Sequence, residues 1–324
     1  MLADFDLARP GKTFHDLGPI TGPLDGVAGD VLCSINNGQG PSVLLFGGVH
    51  GDEYEAQIAL RRLAERIRPE DVTGRILIAP SINFPASETG KRLSPFDGQN
   101  MNRVFPGNPQ GTPTEKLAAF ATGSLFPAVD LLIDVHAGGR DVSVVPMVFG
   151  FTTPASKVDE TALTDLMEAW GYRFVQHVKG IRETACGAAE AADLASIEVE
   201  GGGGRMKSSE LRIMEEGLMR ALSAYGVLKP ALEPARFRGV HVTAGPEGQY
   251  VAARAGLVEH LVGLGDEVDA QTVVALLHPT AGADPKPEAI RSPMPGYVLR
   301  QTEHVHVTRG QLIGNVGTPR TASA

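Results

Sequence analysis

Between about residues 43 and 226 the chain alternates short apolar runs with longer amphipathic ones, and this alternation constrains the fold more than any other feature. Ser42–Phe46 (SVLLF) reads as a buried strand, followed by the loop Gly47-Gly48-Val49-His50-Gly51. Asp52, with Glu55 three residues on, is expected to cap the helical stretch EYEAQIALRRLAERI. Residues 75–79 (RILIA) form a second strand, and 130–135 (DLLIDV) a third that ends in His136-Ala137-Gly138-Gly139. A long polar loop, 81–113, separates them before helical signals resume at Thr114-Glu115-Lys116. Further strands are expected over 142–149, 173–178 and 196–200, and helices over 155–170 and 208–225. Strands alternating with helices imply an α/β fold, a mostly parallel sheet covered by helices on both faces. Ligands in such sheets gather at the carboxyl ends of the strands. The polar clusters after Phe46 and Val135 fall there.

After Lys229-Pro230 helical periodicity disappears, and short β-rich runs separated by Gly and Pro take over. The expected organisation is an α/β domain over 1–229, with an N-terminal β extension, and an all-β, barrel-sandwich-like domain over 230–324. Gly256 lies 15 residues before Gln271, and Gly296 lies 15 before Gln311, which suggests an internal repeat. GLVEHLVGLGDEV resembles one half of a biotinyl/lipoyl-type β-barrel. A carrier role would need a lysine at a hairpin tip, and Lys286 inside ADPKPE is a poor one, so a structural module is expected. The last residues, TPRTASA, are expected to fray.

Composition removes several function classes. With 29 Lys+Arg against 38 Asp+Glu the formal net charge is −9, which speaks against a phosphate-backbone binder. Two cysteines, Cys33 and Cys186, cannot build a disulfide framework or a four-thiolate zinc site. No stretch approaches the ~18 apolar residues of a membrane span. The N-terminus MLADFDLARPGKTF has Asp4 and Asp6 ahead of its first basic residue and lacks an apolar signal region, so a cytoplasmic location is expected.

Three residues carry the candidate chemistry: His50, Glu53 and His136. A His-x-x-Glu pair where a strand turns into a helix, completed by a third ligand at another strand end, describes a catalytic metal site with one open position. Imidazole plus carboxylate suits Zn²⁺, and Mn²⁺, Co²⁺ and Fe²⁺ remain open on these grounds. The ordinary reading is a loop histidine bonded to backbone and a first-turn carboxylate at a helix N-terminus. Both histidines, however, stand beside glycines directly after apolar strands, where backbone can approach a ligand closely. Asp134, two residues before His136, shares its sheet face and is either a buried strand-end carboxylate or a partner near the metal. Glu198 and Glu200, in Ile197-Glu198-Val199-Glu200 before four glycines, alternate onto one face and are candidate proton carriers. Their alternative is an edge strand facing water. Arg92, Asn102 and Arg103, on the long loop, can fork a carboxylate, or in the case of Asn100 and Asn102 simply form turns. His177 is expected in core or surface, Cys186 as a small buried helix residue, and His304 and His306 on a β face.

The stretches GGVHGDEYE, NFPASETGKRLSPFDGQNMNRVFPG, DLLIDVHAGG and SIEVEGGGG, in that order, resemble the succinylglutamate desuccinylase/aspartoacylase family of the zinc carboxypeptidase-like superfamily. Within it the chain looks most like the N-acetyl-diaminobutyrate deacetylases of ectoine degradation. The resemblance implies that His50, Glu53 and His136 hold one Zn²⁺ and that Arg103 with Asn102 clamps a substrate carboxylate. Arg92 would then polarise the scissile carbonyl or hold a second anion. A glutamate before the glycines would act as general base and then general acid. The family pattern is Glu, an apolar residue, then Gly; Glu200-Gly201-Gly202 restores it, so Glu200 is preferred over Glu198. The implied activity is zinc-dependent removal of a small acyl group from an N-acylated amino acid, with a homo-oligomer plausible and neither nucleic acid nor membrane as partner. The rival activities are a metallocarboxypeptidase and a non-catalytic ligand-binding protein on the same scaffold.

Overall fold

The apolar runs SVLLF, RILIA and LLIDV form strands whose side chains divide between two faces, so the sheet needs cover on both sides. The computed structural model describes residues 5–22, 24, 29–230, 232–233, 235–281 and 286–320. Of the residues expected to fray, 321–324 lie outside them, as do 283–285 of the ADPKPE stretch, whereas Thr318 and Pro319 do not fray but pair with Thr243 and Val242. In chain order, β1 (Gly11–Asp16), α1 (Gly18–Thr21) and β2 (Val31–Asn37) precede β3 (Ser42–Phe46), α2 (Tyr54–Arg66) and β4 (Gly74–Ala79). Next come α3 (Phe84–Thr89), α4 (Pro113–Phe120), β5 (Leu131–Val135), β6 (Val142–Phe151) and α5 (Glu160–Ala169). The unit ends with β7 (Phe174–His177), α6 (Ala185–Ala191), β8 (Ala195–Gly203) and α7 (Ser208–Ala224).

The strands β4, β3, β5 and β8 are neighbours in that order and run parallel. Antiparallel β2 and β1 extend one side, and antiparallel β6 the other, so the sheet is mixed around a parallel centre. Val43, Leu45, Ile76, Ile78, Ile133 and Val199 pack with apolar residues of α2, α5 and α7. Leu44, Phe46, Leu77 and Leu132 pack on the opposite face with residues of α4 and α6, Cys186 among them. The alternation breaks on this second face at the ends of β5 and β8. There Asp134 and Glu198 stand in register across the two strands, and Glu200 follows on the same face. Central in the sheet, β8 is not a water-facing edge.

Three local expectations need correction. Asp52 does not cap α2, which begins at Tyr54 with Glu53 in the cap position and no side-chain cap bond. Asp52 instead accepts the Arg140 N–H at 3.4 Å, and Glu55 accepts the Gly203 N–H at 3.4 Å. The carboxylates that suggested a capping box are thus spent on neighbouring loops. The loop 81–113 contains α3, which has Pro85 in its first turn and left-handed Gly90 at its end. The helix expected from residue 155 starts only at Glu160, where Asp159 caps it by accepting the Ala162 N–H.

The carboxyl-terminal third is built of strands: β9 (Val240–Thr243), β10 (Gln249–Val251), β11 (Gly256–His260), β12 (Glu267–Val268) and β13 (Val273–His278), then β14 (Glu288–Arg291), β15 (Gly296–Thr302), β16 (His306–Val307) and β17 (Leu312–Pro319). The glycine and glutamine spacing marks a repeat of strand, two-residue strand, strand. The short strand of each copy pairs with the first strand of the other: Gly256 with Val307 and Leu257 with His306, Gly296 with Val268 and Tyr297 with Glu267. This third joins the α/β unit through backbone ladders. β7 pairs with β9, β9 with β17, β17 with β15, and β15 with Val142–Val144 of β6. Because Met147–Gly150 of β6 pair with β7, the circuit closes. Val145, Met147, Phe174, Val242, Tyr297 and Leu299 form one apolar cluster among these strands. No helix among the described residues is long and apolar enough to cross a membrane.

A single glycine tests the packing on the helix side. A Cβ at Gly217 of α7 would lie 2.1 Å from Nε1 of the fully buried Trp170. Alanine gains about 1 kcal/mol of helix propensity over glycine, but overpacking a buried ring costs roughly 1–3 kcal/mol or more. At this separation the clash wins. Gly217→Ala is expected to lower stability by about 2 kcal/mol in urea unfolding; an unchanged or raised midpoint would contradict this packing.

Candidate active site

The strand order puts the site where it is. The chain leaves β3 for β4 on one side and later returns as β5 on the other, so the carboxyl ends of β3 and β5 flank a switch point. His50 follows β3 and His136 follows β5, and the two rings stand 5.2 Å apart between centroids. The loop after β3 is pressed against α3: a Cβ at Gly51 would lie 2.0 Å from the Ala86 carbonyl carbon. Only glycine permits that approach.

Glu53, at the N-terminus of α2, joins the two rings. Its Oε1 lies 2.7 Å from His50 Nδ1, and its Oε2 lies 2.7 Å from His136 Nδ1 and accepts the Ala137 N–H at 3.3 Å. The three side chains are 3, 2 and 2% exposed, so water hardly screens them. Burial pushes the Glu53 carboxyl up, but the two imidazoles together overcome this and hold it below the usual carboxylate range. Burial likewise opposes charge on His136, and Asp134 and Glu53 reverse it, raising the imidazole well above its ordinary value.

The far side of each ring fixes its tautomer. His136 Nε2 lies 3.0 Å from Asp134 Oδ2, which can only accept when ionised. His50 Nε2 lies 3.0 Å from Asn100 Oδ1, and the same oxygen accepts the Asn102 N–H at 2.9 Å. A backbone N–H can only donate, so that atom is the acceptor and His50 Nε2 carries the proton. With Nε2 carrying a proton in each, a ring that gives up its second proton aims its Nδ1 lone pair at a carboxylate oxygen. Lone pairs 2.7 Å apart repel unless a proton or a cation lies between them. Two imidazoles held from behind, plus one carboxylate, are the donor set of a catalytic Zn²⁺ site, and the residues fit that ion.

A cleft of 390 Å³ opens beside this trio. His50, His136, Glu198, Glu200, Arg92, Asn102 and Arg103 all line it, so seven of the candidates face one space, and Glu53 is joined to it through the two rings and Arg92. A larger hollow of 620 Å³ beside α7 has no histidine in its lining. Arg92 donates to Glu53 Oε1 at 3.1 Å. The Asn102 Oδ1 accepts the Ala185 N–H at the start of α6, at 2.8 Å, which turns its NH₂ group away from that helix. Arg103 Nη1 donates to the Asn102 carbonyl. Burial, reinforced by Asp134 and Glu53 against His136, pushes the Glu198 carboxyl up to about 7. Burial and then Glu53 raise Glu200 well above its ordinary value, and its Oε2 is buried with no hydrogen-bond partner.

Sequence reasoning missed the far wall. Leu299, Arg300 and Asn315, from β15 and β17, line the same cleft. The cleft walls desolvate the Arg300 guanidinium and draw its pKa down, while Glu200 pulls it back up. Nothing in the local pattern Leu-Arg-Gln-Thr marks this arginine; only the pairing of Arg300 with Val144 brings it over the site.

A family model described as the succinylglutamate desuccinylase/aspartoacylase catalytic domain matches residues 39–225. The chain belongs to this family. The N-alpha-acetyl-L-2,4-diaminobutyric acid deacetylase of Halomonas elongata is 33% identical over 286 residues, covering 86% of this chain and 82% of that protein. The product-bound ectoine utilization protein EutE (DoeB) from Ruegeria pomeroyi has a TM-score of 0.87 at 29% identity, covering 97% of this chain and 98% of that one. A succinylglutamate desuccinylase/aspartoacylase from Rhodobacter sphaeroides has a TM-score of 0.88 at 31% identity over 98% of both chains. His50, Glu53, Arg92, Asn102, Arg103, His136, Glu198 and Glu200 all fall inside the family match, whereas Arg300 and Asn315 lie beyond it.

The floor of the site holds a thiol. Cys186 shares a cluster with Asp134 and Glu198, and burial followed by those two carboxylates raises its pKa well above normal. Burial also pushes Cys33, in β2, up to about 11. The thiolate is the reactive form, so at pH 8 only about a thousandth of such a thiol is available. Iodoacetamide is expected to label the native chain at least ~100-fold more slowly than the urea-unfolded chain. Rapid native labelling of either cysteine would contradict this burial.

Proposed function

We propose that this chain is a zinc-dependent amidohydrolase that removes a small acyl group from an N-acylated amino acid. The substrate would be of the N-acetyl-diaminobutyrate, N-acyl-aspartate or N-succinyl-glutamate class. One observation carries the reading: two imidazole nitrogens and a carboxylate converge in a buried cluster beside two further glutamates and two arginines. The relatives' activities, as their names give them, support it.

His50, Glu53 and His136 would hold the ion. Bound there, zinc supplies the Lewis acidity that makes water a nucleophile near neutral pH. The chain's own residues do the rest. Arg103 and the free NH₂ group of Asn102 bind and orient the substrate carboxylate. Arg92, beside Glu53, faces the position of the scissile carbonyl and stabilises negative charge developing on its oxygen. One of Glu198 and Glu200 accepts the water proton and returns it to the leaving amine. Glu198, at about 7, is matched to both halves of that task at neutral pH. Glu200 has the Glu-x-Gly setting and an unpartnered oxygen.

His50→Ala is expected to lose stoichiometric zinc by elemental analysis together with activity, and retention of both would end the proposal. Of Glu198→Gln and Glu200→Gln, the change at the proton carrier is expected to lower kcat by about 10²–10⁴-fold, and the other by far less. Small and equal losses would remove the glutamates from the mechanism. The zinc-loaded enzyme is expected to hydrolyse N-acetyl-L-2,4-diaminobutyrate, N-acetylaspartate or N-succinylglutamate in preference to releasing C-terminal residues from peptides. The opposite preference would favour a carboxypeptidase.

A further inference from the structure

Asn100 stands between the metal trio and the substrate clamp. We propose that Asn100 is a positioning residue whose single carbonyl oxygen couples His50 to the Asn102–Arg103 clamp; the inference rests on the function proposed above. Two bonds meet at that oxygen: His50 Nε2 at 3.0 Å and the Asn102 N–H at 2.9 Å. The first holds the ring with its Nδ1 lone pair toward Glu53. The second caps the short turn Met101–Arg103, which presents the clamp.

The coupling is tight because both neighbours are otherwise anchored. The buried side-chain oxygen of Asn102 is held by the Ala185 N–H of α6, and His50 is held on its other nitrogen side by Glu53. A shift of the turn therefore moves the acceptor behind the ring, and a rotation of the ring moves the turn. The two rings are also backed differently. His136 leans on a buried carboxylate, Asp134, whereas His50 leans on a neutral amide that also shapes the ligand loop. Of the two rings, His50 is the one whose backing atom also shapes the Asn102–Arg103 turn. Removing that acceptor is expected to damage both functions at once, which loss of a turn residue alone would not do.

Aspartate reproduces the acceptor in the same place, whereas leucine has similar volume and accepts nothing. Zinc affinity by chelator competition, KM and kcat with N-acetyl-L-2,4-diaminobutyrate, and thermal melting are measured on wild type, Asn100→Leu and Asn100→Asp. Asn100→Leu is expected to bind zinc about 10–100-fold more weakly, the range seen when the hydrogen-bond partner behind a ligand histidine is lost. Its KM rises by about tenfold, and Asn100→Asp stays within about threefold of wild type on both. Should the leucine chain not fold, Asn100→Ala lacks the acceptor without added bulk and carries the same expectation. Wild-type zinc affinity and KM in the variant without an acceptor would overturn the inference alone, as would an aspartate variant that fails like leucine. A wild-type chain that takes up no zinc would overturn the proposed function and this coupling together.

Discussion

Glu53 has both of its oxygens against imidazole nitrogens, and much of the structure can be read as what makes that contact tolerable. A carboxylate this buried is costly unless every lone pair is met. Here the α2 N-terminus, the Ala137 N–H and Arg92 add to the two rings. The rings are braced in turn by Asp134 and Asn100. These supports come from four separate stretches of the chain, 50–54, 92, 100 and 134–137, so the site is complete only where the sheet has brought β3 beside β5. Folding and assembly of the centre are one event.

Electrostatics within the cleft run against the chain as a whole. The molecule carries a formal net charge of −9, yet Arg92, Arg103, Lys179 and Arg300 all border one opening. Low-dielectric walls focus such a field, so a small anion meets attraction at the mouth of an otherwise acidic protein. Deeper in, the basic side chains give way to the acidic Glu198 and Glu200, whose carboxyls burial pushes toward the protonated form. A ligand with a carboxylate at one end and an amine released at the other matches that gradient.

What could be read from the sequence follows locality. The strands β3, β4 and β5 were legible because both of their faces are apolar, and α4 from the helical signals at Thr114-Glu115-Lys116; the structure adds a genuine capping box of Thr112 and Glu115 at its start. Asp52 and Glu55 have the same spacing but serve other loops, and only tertiary structure distinguishes the two cases. The helix α3 was hidden because its buried face is only Phe84, Pro85 and Ala86, too short for a periodic signal. The His-x-x-Glu pair and His136 stood out by their glycine settings. Arg300 had no such mark, because its place over the cleft is set by pairing with Val144, more than a hundred residues away.

The closed circuit of β6, β7, β9, β17 and β15 also bears on what can be removed from this protein. The family match ends at residue 225, which invites the view that the remainder is an accessory. A chain stopped there would strip β6 and β7 of partners along one edge and leave Val145, Met147 and Phe174 without Val242, Tyr297 and Leu299. Bare ladder edges beside exposed apolar side chains are a template for association with other chains. The carboxyl-terminal third is thus better regarded as the last staves of a cask than as a lid: take them away and the vessel does not open, it leaks.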